Sequence, residues 1–288
     1  MYIIQITNWN MKGTYCMEEN VLLAIGLTLF AGLATGVGSL IAFFTSRTNT
    51  KFLSFALGFS AGVMIYVSLI EIFVKAKDSL TAALGETQGY WMTLVGFFGG
   101  MLLIALIDKF IPNKNNPHEV RMVEDINKAE AQSTIADADK LMKMGTFAAL
   151  AIAIHNFPEG IATFMSALQD PSLGIAIAVA VAIHNIPEGI AVAVPIFYAT
   201  GNRMKAFKLS FLSGLAEPVG AIVAYLVLMN FLTDVMFGVI FAGVAGIMVF
   251  ISLDELLPAA KRYDETHLSI YGLVGGMAVM AVSLVLLA

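Results

Sequence analysis

Residues 149–162 read ALAIAIHNFPEGIA and residues 178–191 read AVAVAIHNIPEGIA, identical at eleven of fourteen positions. Each copy sits in a run of about twenty apolar residues, the length a helix needs to cross the hydrocarbon core of a bilayer. A charged side chain at the centre of such a helix costs roughly 2.5–3.5 kcal/mol on insertion scales. Ionisable groups at that depth therefore mark function. His155 and Glu159 are four residues apart and share a helix face, as do His184 and Glu188. Two imidazoles and two carboxylates at one depth point to a metal ion held inside a membrane.

The rest of the chain agrees. It is 58% hydrophobic and only 13% charged, where a soluble domain carries about 25% charged residues; the mean hydropathy is +0.82. The net charge of −5 says little, because most of the charges lie in loops. No basic run with interleaved aromatics points to nucleic acid. A single cysteine, Cys16, excludes an internal disulfide and a thiolate metal cluster. The sixteen methionines read as flexible filler between helices rather than a copper(I) site. Residues 1–16 lack the features of a signal peptide, and Met17-Glu18-Glu19-Asn20 looks like a natural start, so 1–16 reads as an upstream extension.

Eight runs have spanning length: approximately 21–44, 53–74, 91–110, 145–168, 174–198, 209–230, 237–258 and 269–288. The expected organisation is an extracytoplasmic extension (1–20), helices 1–3 (21–111), a cytoplasmic loop (112–144), helices 4–5 with the paired motif (145–198) and helices 6–8 (199–288). Thirteen of the sixteen Lys and Arg residues fall in the loops after runs 1, 3, 5 and 7, leaving Lys12, Lys75 and Lys77 on the other side. By the positive-inside rule the first set of loops is cytoplasmic and both termini lie outside. The loop around Pro112–Lys143 is polar and charge-mixed, and its His118 reads as solvated.

Two weaker repeats accompany the strong one. Residues 30–44 match 212–226 at six of fifteen positions, and 60–72 match 244–256 at six of thirteen. Runs 3 and 8 share a Gly-Gly-Met at Gly99 and Gly275. Run 4 thus resembles 5, run 1 resembles 6, and run 2 resembles 7. Each pair is separated by an odd number of crossings, so its members run in opposite directions. The expected fold is an all-α membrane protein with eight transmembrane helices in a 3+2+3 inverted-repeat bundle, an arrangement typical of secondary transporters.

Pro158 and Pro187 have no N–H, so each should kink or open its helix beside the polar residues. Run 6 adds Glu217 near mid-span; its repeat partner in run 1 is Thr35. Glu159, Glu188 and Glu217 would put three negative charges at the midplane with no Lys or Arg in runs 4–6 to balance them. The carboxylates must hold protons or cations. One metal with a shared proton, or two metals bridged by carboxylates, both satisfy the count, and protons compete with metal in either case. Imidazole, carboxylate and the amide oxygens of Asn156 and Asn185 suit Zn²⁺, Fe²⁺, Mn²⁺ or Co²⁺. The alternatives are a metal-free hydrogen-bonded network or a kink-stabilising element. Glu71 and, at its matched position, Glu255 with Asp254 lie near the ends of runs 2 and 7. They read either as cation relays at the two mouths or as interfacial carboxylates reaching water.

With His-Asn-x-Pro-Glu-Gly in two successive runs and Gly-Leu-Ala-Glu-Pro in the next, the chain resembles the ZIP (Zrt/Irt-like) metal transporter family over roughly residues 21–288. The resemblance implies eight helices with outward termini and uptake of metal toward the cytoplasm across a bacterial inner membrane. It implies zinc, iron or a similar ion as cargo rather than cofactor, and commonly a homodimer. It puts His155, Asn156 and Glu159, then His184, Asn185 and Glu188, then Glu217, at the family's ligand positions. The family's centre is often binuclear. Asn185 stands where some members carry Asp, and the loop lacks the histidine cluster of many members. The family moves helices 1, 4, 5 and 6 as a unit against 2, 3, 7 and 8 in alternating access. A passive metal channel is the alternative. An intramembrane metallohydrolase fits less well, because His155 is followed by Asn156 and no second His lies four residues on, unlike the His-Glu-x-x-His of zincins. No enzyme activity is expected.

Overall fold

The computed structural model describes the backbone of residues 3–44, 50–110, 135–200, 202–228, 233–262 and 267–287. Within these, the side chains of 3–19, 41–44, 50, 53, 110, 135–148, 151, 155, 191, 194, 195, 198, 199, 228, 262 and 287 lie outside the description, as does His118 in the loop. Every described element is helical, with no strand among the described residues. Helix α1 is Ile3–Phe44. Helix α2 is Thr50–Val67, running through a π turn at Ser68–Ile72 into Phe73–Leu84. Helix α3 is Glu86–Phe110, α4 is Ile135–Gln169 and α5 is Pro171–Thr200. Helix α6 comprises Arg203–Gly214, Ala216–Val223 and a π turn at Ala224–Leu228. Helix α7 comprises Asp234–Ile251, a π turn at Ser252–Leu256 and Leu257–Arg262; α8 is Leu268–Leu287.

Among the described residues seven helices are long and apolar enough to cross a membrane: Asn20–Leu40, Ser54–Leu84, Glu86–Lys109, Pro171–Ile190, Arg203–Val227, Asp234–Lys261 and Leu268–Leu286. The run 145–168 lies within α4, part of which carries no described side chains. Helix α4 begins at Ile135, inside the segment read from sequence as loop.

The helices sort into two groups. Helices α1, α4, α5 and α6 pack mainly on one another, and so do α2, α3, α7 and α8; the contacts between groups, chiefly α2 and α8 on α5 and α4 on α7, are sparser. Lipid offers no hydrophobic drive for helices to associate, so close backbone approach at small residues holds such groups together. A Cβ on Gly160 would overlap the Glu217 carbonyl, and one on Gly189 would overlap the Thr35 carbonyl. Those two contacts join residues aligned by the sequence repeats. In the other group Gly62 abuts the Leu273 carbonyl and Gly246 the Phe97 carbonyl, again at aligned positions. Gly32 and Gly214 face each other directly, each against the other's carbonyl.

Helices α4 and α5 run as unbroken helix through Pro158 and Pro187. Each proline removes one backbone hydrogen bond, yet no turn opens there. The interruption falls in α6 instead, at Leu215, three residues before Pro218. The reversal between α4 and α5 uses one residue, Asp170, whose carboxylate accepts from the Ser172 N–H at 3.0 Å, from the Ser172 hydroxyl at 2.6 Å and from the Leu173 N–H at 3.4 Å. This caps the first turn of α5 and forces α4 and α5 to lie antiparallel.

Candidate metal centre

The antiparallel pair brings the two motif copies together. His184 Nε2 of α5 stands 3.2 Å from Glu159 Oε2 of α4, and each residue is 1% exposed. Glu188 lies one turn beyond His184, also buried. Glu217 of α6 is wholly buried one helix away. Three carboxylates thus share the interior of one helix group, where an uncompensated charge is costly. His155 lies in α4 one turn before Glu159, and its side chain is outside the description.

The two asparagines occupy equivalent places. Asn156 donates its amide N–H to the Ser213 carbonyl of α6 at 3.3 Å. Asn185 donates to the Ala31 carbonyl of α1 at 2.9 Å. Ser213 and Ala31 are themselves aligned by the repeat, so each asparagine ties its helix to the matching carbonyl of the other pair. Asn185 spends its second N–H on Glu217 Oε1. With the nitrogens engaged in this way, both amide oxygens are buried without a hydrogen-bond partner, and so is Glu217 Oε2. A buried acceptor without a partner costs about 1–3 kcal/mol, and these three oxygens are acceptors that a cation at this place would satisfy. Imidazole nitrogen together with carboxylate and amide oxygen is chemistry suited to a borderline divalent ion.

Among the described residues no three His, Cys, Asp or Glu side chains stand close enough to hold a metal by themselves. His155 and the two asparagine oxygens fall outside that count. Glu71, Asp254 and Glu255 belong to the other helix group. Glu71 lies in the π turn of α2, 3.8 Å from Lys75. Asp254 and Glu255 lie in the π turn of α7, Asp254 exposed and Glu255 partly buried. The two π turns stand at positions matched by the sequence repeat. A π turn inserts one residue into the helical register and re-aims the side chains around it, and such turns concentrate at functional sites.

A cluster of hydroxyls that belongs to no motif lies beside these residues. Ser39 Oγ lies 2.6 Å from Ser210 Oγ, and Ser210 donates to the Gly189 carbonyl at 3.1 Å. Ser213 donates to the Ser210 carbonyl at 2.7 Å. These bonds tie α1, α5 and α6 just beyond the second motif copy. The signal that would have found them is their spacing: Ser210 and Ser213 precede Glu217 by seven and four residues and share its helix face.

Residues 112–284 match the family model described as ZIP Zinc transporter. The "Zinc transporter ZupT" of Lysinibacillus sphaericus (strain C3-41) is 83% identical over 271 residues, covering 94% of this chain and 100% of the relative. That of Oceanobacillus iheyensis is 74% identical over 270 residues, with coverage of 94% and 100%. That of Clostridium perfringens (strain 13 / Type A) is 60% identical over 284 residues, with coverage of 96% and 99%.

Proposed function

The chain belongs to the ZIP zinc transporter family, and from that premise we propose that it imports divalent transition metal ions, zinc foremost, into the cytoplasm by alternating access. Fe²⁺, Mn²⁺ and Co²⁺ share the same ligand chemistry and are further cargo. The ion sits at the midplane among His155, Asn156, Glu159, His184, Asn185, Glu188 and Glu217. The observation that carries this reading is the convergence of Glu159, His184, Asn185 and Glu217 in one helix group, with three buried oxygens left as acceptors. Glu71 at the outer mouth and Asp254 with Glu255 at the inner mouth relay the ion.

The protein spans the inner membrane eight times, as a 3+2+3 inverted repeat with both termini outside, and works as a homodimer. The matched glycine contacts, the matched asparagine anchors and the matched π turns all support the repeat. The two packing groups support alternating access: α1, α4, α5 and α6, which carry the centre, move as one body against α2, α3, α7 and α8. No hydrolytic chemistry is required of any residue.

Glu159→Ala and Glu188→Ala should each abolish uptake of radioactive zinc into proteoliposomes while the protein still inserts and elutes as a single species. Full uptake by either variant would sink the assignment. The second reading, a passive channel, is separated by flux: a rate per protein far above about 10³ s⁻¹, the upper end of ordinary turnover numbers, favours a pore.

A further inference from the structure

Buried hydroxyls in helices commonly bond back to the carbonyl four residues earlier. Thr28, Ser39, Thr93 and Ser252 do so here, at 2.7–3.1 Å. Six others are wholly buried with no hydrogen-bond partner: Thr35 in α1, Ser54, Ser60 and Ser68 in α2, and Thr163 and Ser166 in α4. Of these, Thr163 and Ser166 lie beyond Glu159 on its own helix. Their place in the helix is informative. At 3.6 residues per turn, Glu159, Thr163 and Ser166 fall in a stripe about 60° wide on one face of α4, and Asp170 follows directly after the helix's last residue. A rise of 1.5 Å per residue puts the hydroxyls about 6 and about 10 Å beyond Glu159, and Asp170 about 16 Å beyond it. That last distance is half the thickness of a hydrocarbon core of about 30 Å. In the orientation proposed above, the stripe runs from the metal centre to the outer surface.

Packing does not call for these hydroxyls. The second motif copy supplies the comparison, because the positions aligned with Thr163 and Ser166 are Val192 and Pro195. Val192 is as fully buried as Thr163, and valine has nearly the shape of threonine. The matched place on α5, which continues toward the cytoplasm, is filled without a hydroxyl. Of the two motif helices, only α4 carries these hydroxyls. At its outer end, the Ser172 hydroxyl, the backbone N–H groups of Leu173 and Ser172 and the Lys75 ammonium of α2 hold the Asp170 carboxyl below the usual carboxylate range. The stripe thus ends on a charged carboxylate near the boundary between the two helix groups.

We propose that Thr163 and Ser166 line the outer access route to the metal centre and pass a partly dehydrated divalent cation from outside water to Glu159. Neutral hydroxyl oxygens suit this task. They replace water ligands one at a time and release the ion readily, whereas a carboxylate at the same depth would hold it. The proposal rests on the importer reading of the centre.

The test uses full-length protein with Cys16→Ser as background. Thr163→Val with Ser166→Ala should lower zinc uptake at subsaturating zinc by about tenfold, while equilibrium zinc binding in detergent stays within about twofold of the parent. Unchanged uptake overturns the proposal. An equal loss of equilibrium affinity overturns it too, since the hydroxyls would then belong to the centre itself. Ser166→Cys should react with a membrane-impermeant thiol reagent from outside, and zinc should slow that reaction. Ala167→Cys, packed against Gly174 of α5, should stay unreactive. Equal labelling of the two, or labelling of neither, counts against the route. A parent protein that moves no zinc removes the importer reading and this proposal together.

Discussion

Asn185 has two partners that a carboxylate in its place could not keep. Its amide N–H groups reach the Ala31 carbonyl and Glu217 Oε1 at the same time. The first bond fixes α5 against α1; the second lets Glu217 sit buried beside a donor rather than a like charge. Asn185→Asp removes both donors and sets two carboxylates against each other. The metal-free protein should lose stability on the order of 1–3 kcal/mol, whereas zinc, which neutralises the pair, should stabilise the variant more than the parent. Thermal unfolding in detergent with and without zinc reads both effects, and an unchanged zinc-induced shift would refute this account of Asn185. The meeting of His184 with Glu159 in the interior was legible in the sequence, because two copies of one motif in successive apolar runs come to the same depth. The direction in which each amide faces was not. It depends on carbonyls of α1 and α6 that lie 154 and 57 residues away respectively, and no spacing rule encodes them.

At the level of helices, the antiparallel α4–α5 pair followed from the doubled motif and from a connection too short to permit anything else. The glycines within it act by contact. Gly160 lies on the Glu217 carbonyl and Gly189 on the Thr35 carbonyl. Gly160→Val and Gly189→Val must each push a neighbouring backbone away, at about 1–3 kcal/mol for overpacking. Gly99→Ala on α3 meets nothing within 4 Å and should stay within about 0.5 kcal/mol of the parent. Unfolding midpoints of the three variants check the ranking; a Gly99→Ala variant as damaged as the others would contradict it. The π turns at Ser68–Ile72 and Ser252–Leu256 could not be read in advance, since these runs are apolar on nearly every side and a shift of register leaves no polar face to betray it. Their matched sequences, SLIEI and SLDEL, gave only the hint that both places carry a carboxylate. Pro158 and Pro187 lie in continuous helix, so no turn opens at either, whereas α6 is interrupted at Leu215 near Pro218.

Across the whole molecule the division into two groups is the main result that hydropathy could not supply: eight apolar runs look alike to lipid, and which ones pack together is decided by small residues meeting in space. If α1, α4, α5 and α6 travel as one body, a covalent tie inside that body should leave transport intact. Ser39→Cys with Ser210→Cys, in a Cys16→Ser background, joins α1 to α6 where the native hydroxyls are 2.6 Å apart. Oxidised proteoliposomes should retain most of the zinc uptake of reduced ones. Loss of uptake on oxidation, restored by reductant, would mean that α1 and α6 slide past each other and that the body is smaller than proposed. The meeting of Gly32 with Gly214 bears on how such a chain can change over time. These are aligned residues of the two repeats, so under the proposed symmetry each faces its own counterpart. In a forerunner in which one three-helix unit stood for both helices 1–3 and helices 6–8, they would have been a single codon, and any larger residue there would have collided with its own copy. Duplication of that unit within one chain freed most paired positions to diverge, as Thr35 and Glu217 have done, but not this one. Enlarging either glycine drives it into the backbone opposite, and no substitution at the other can make room, because glycine is already the smallest residue there is.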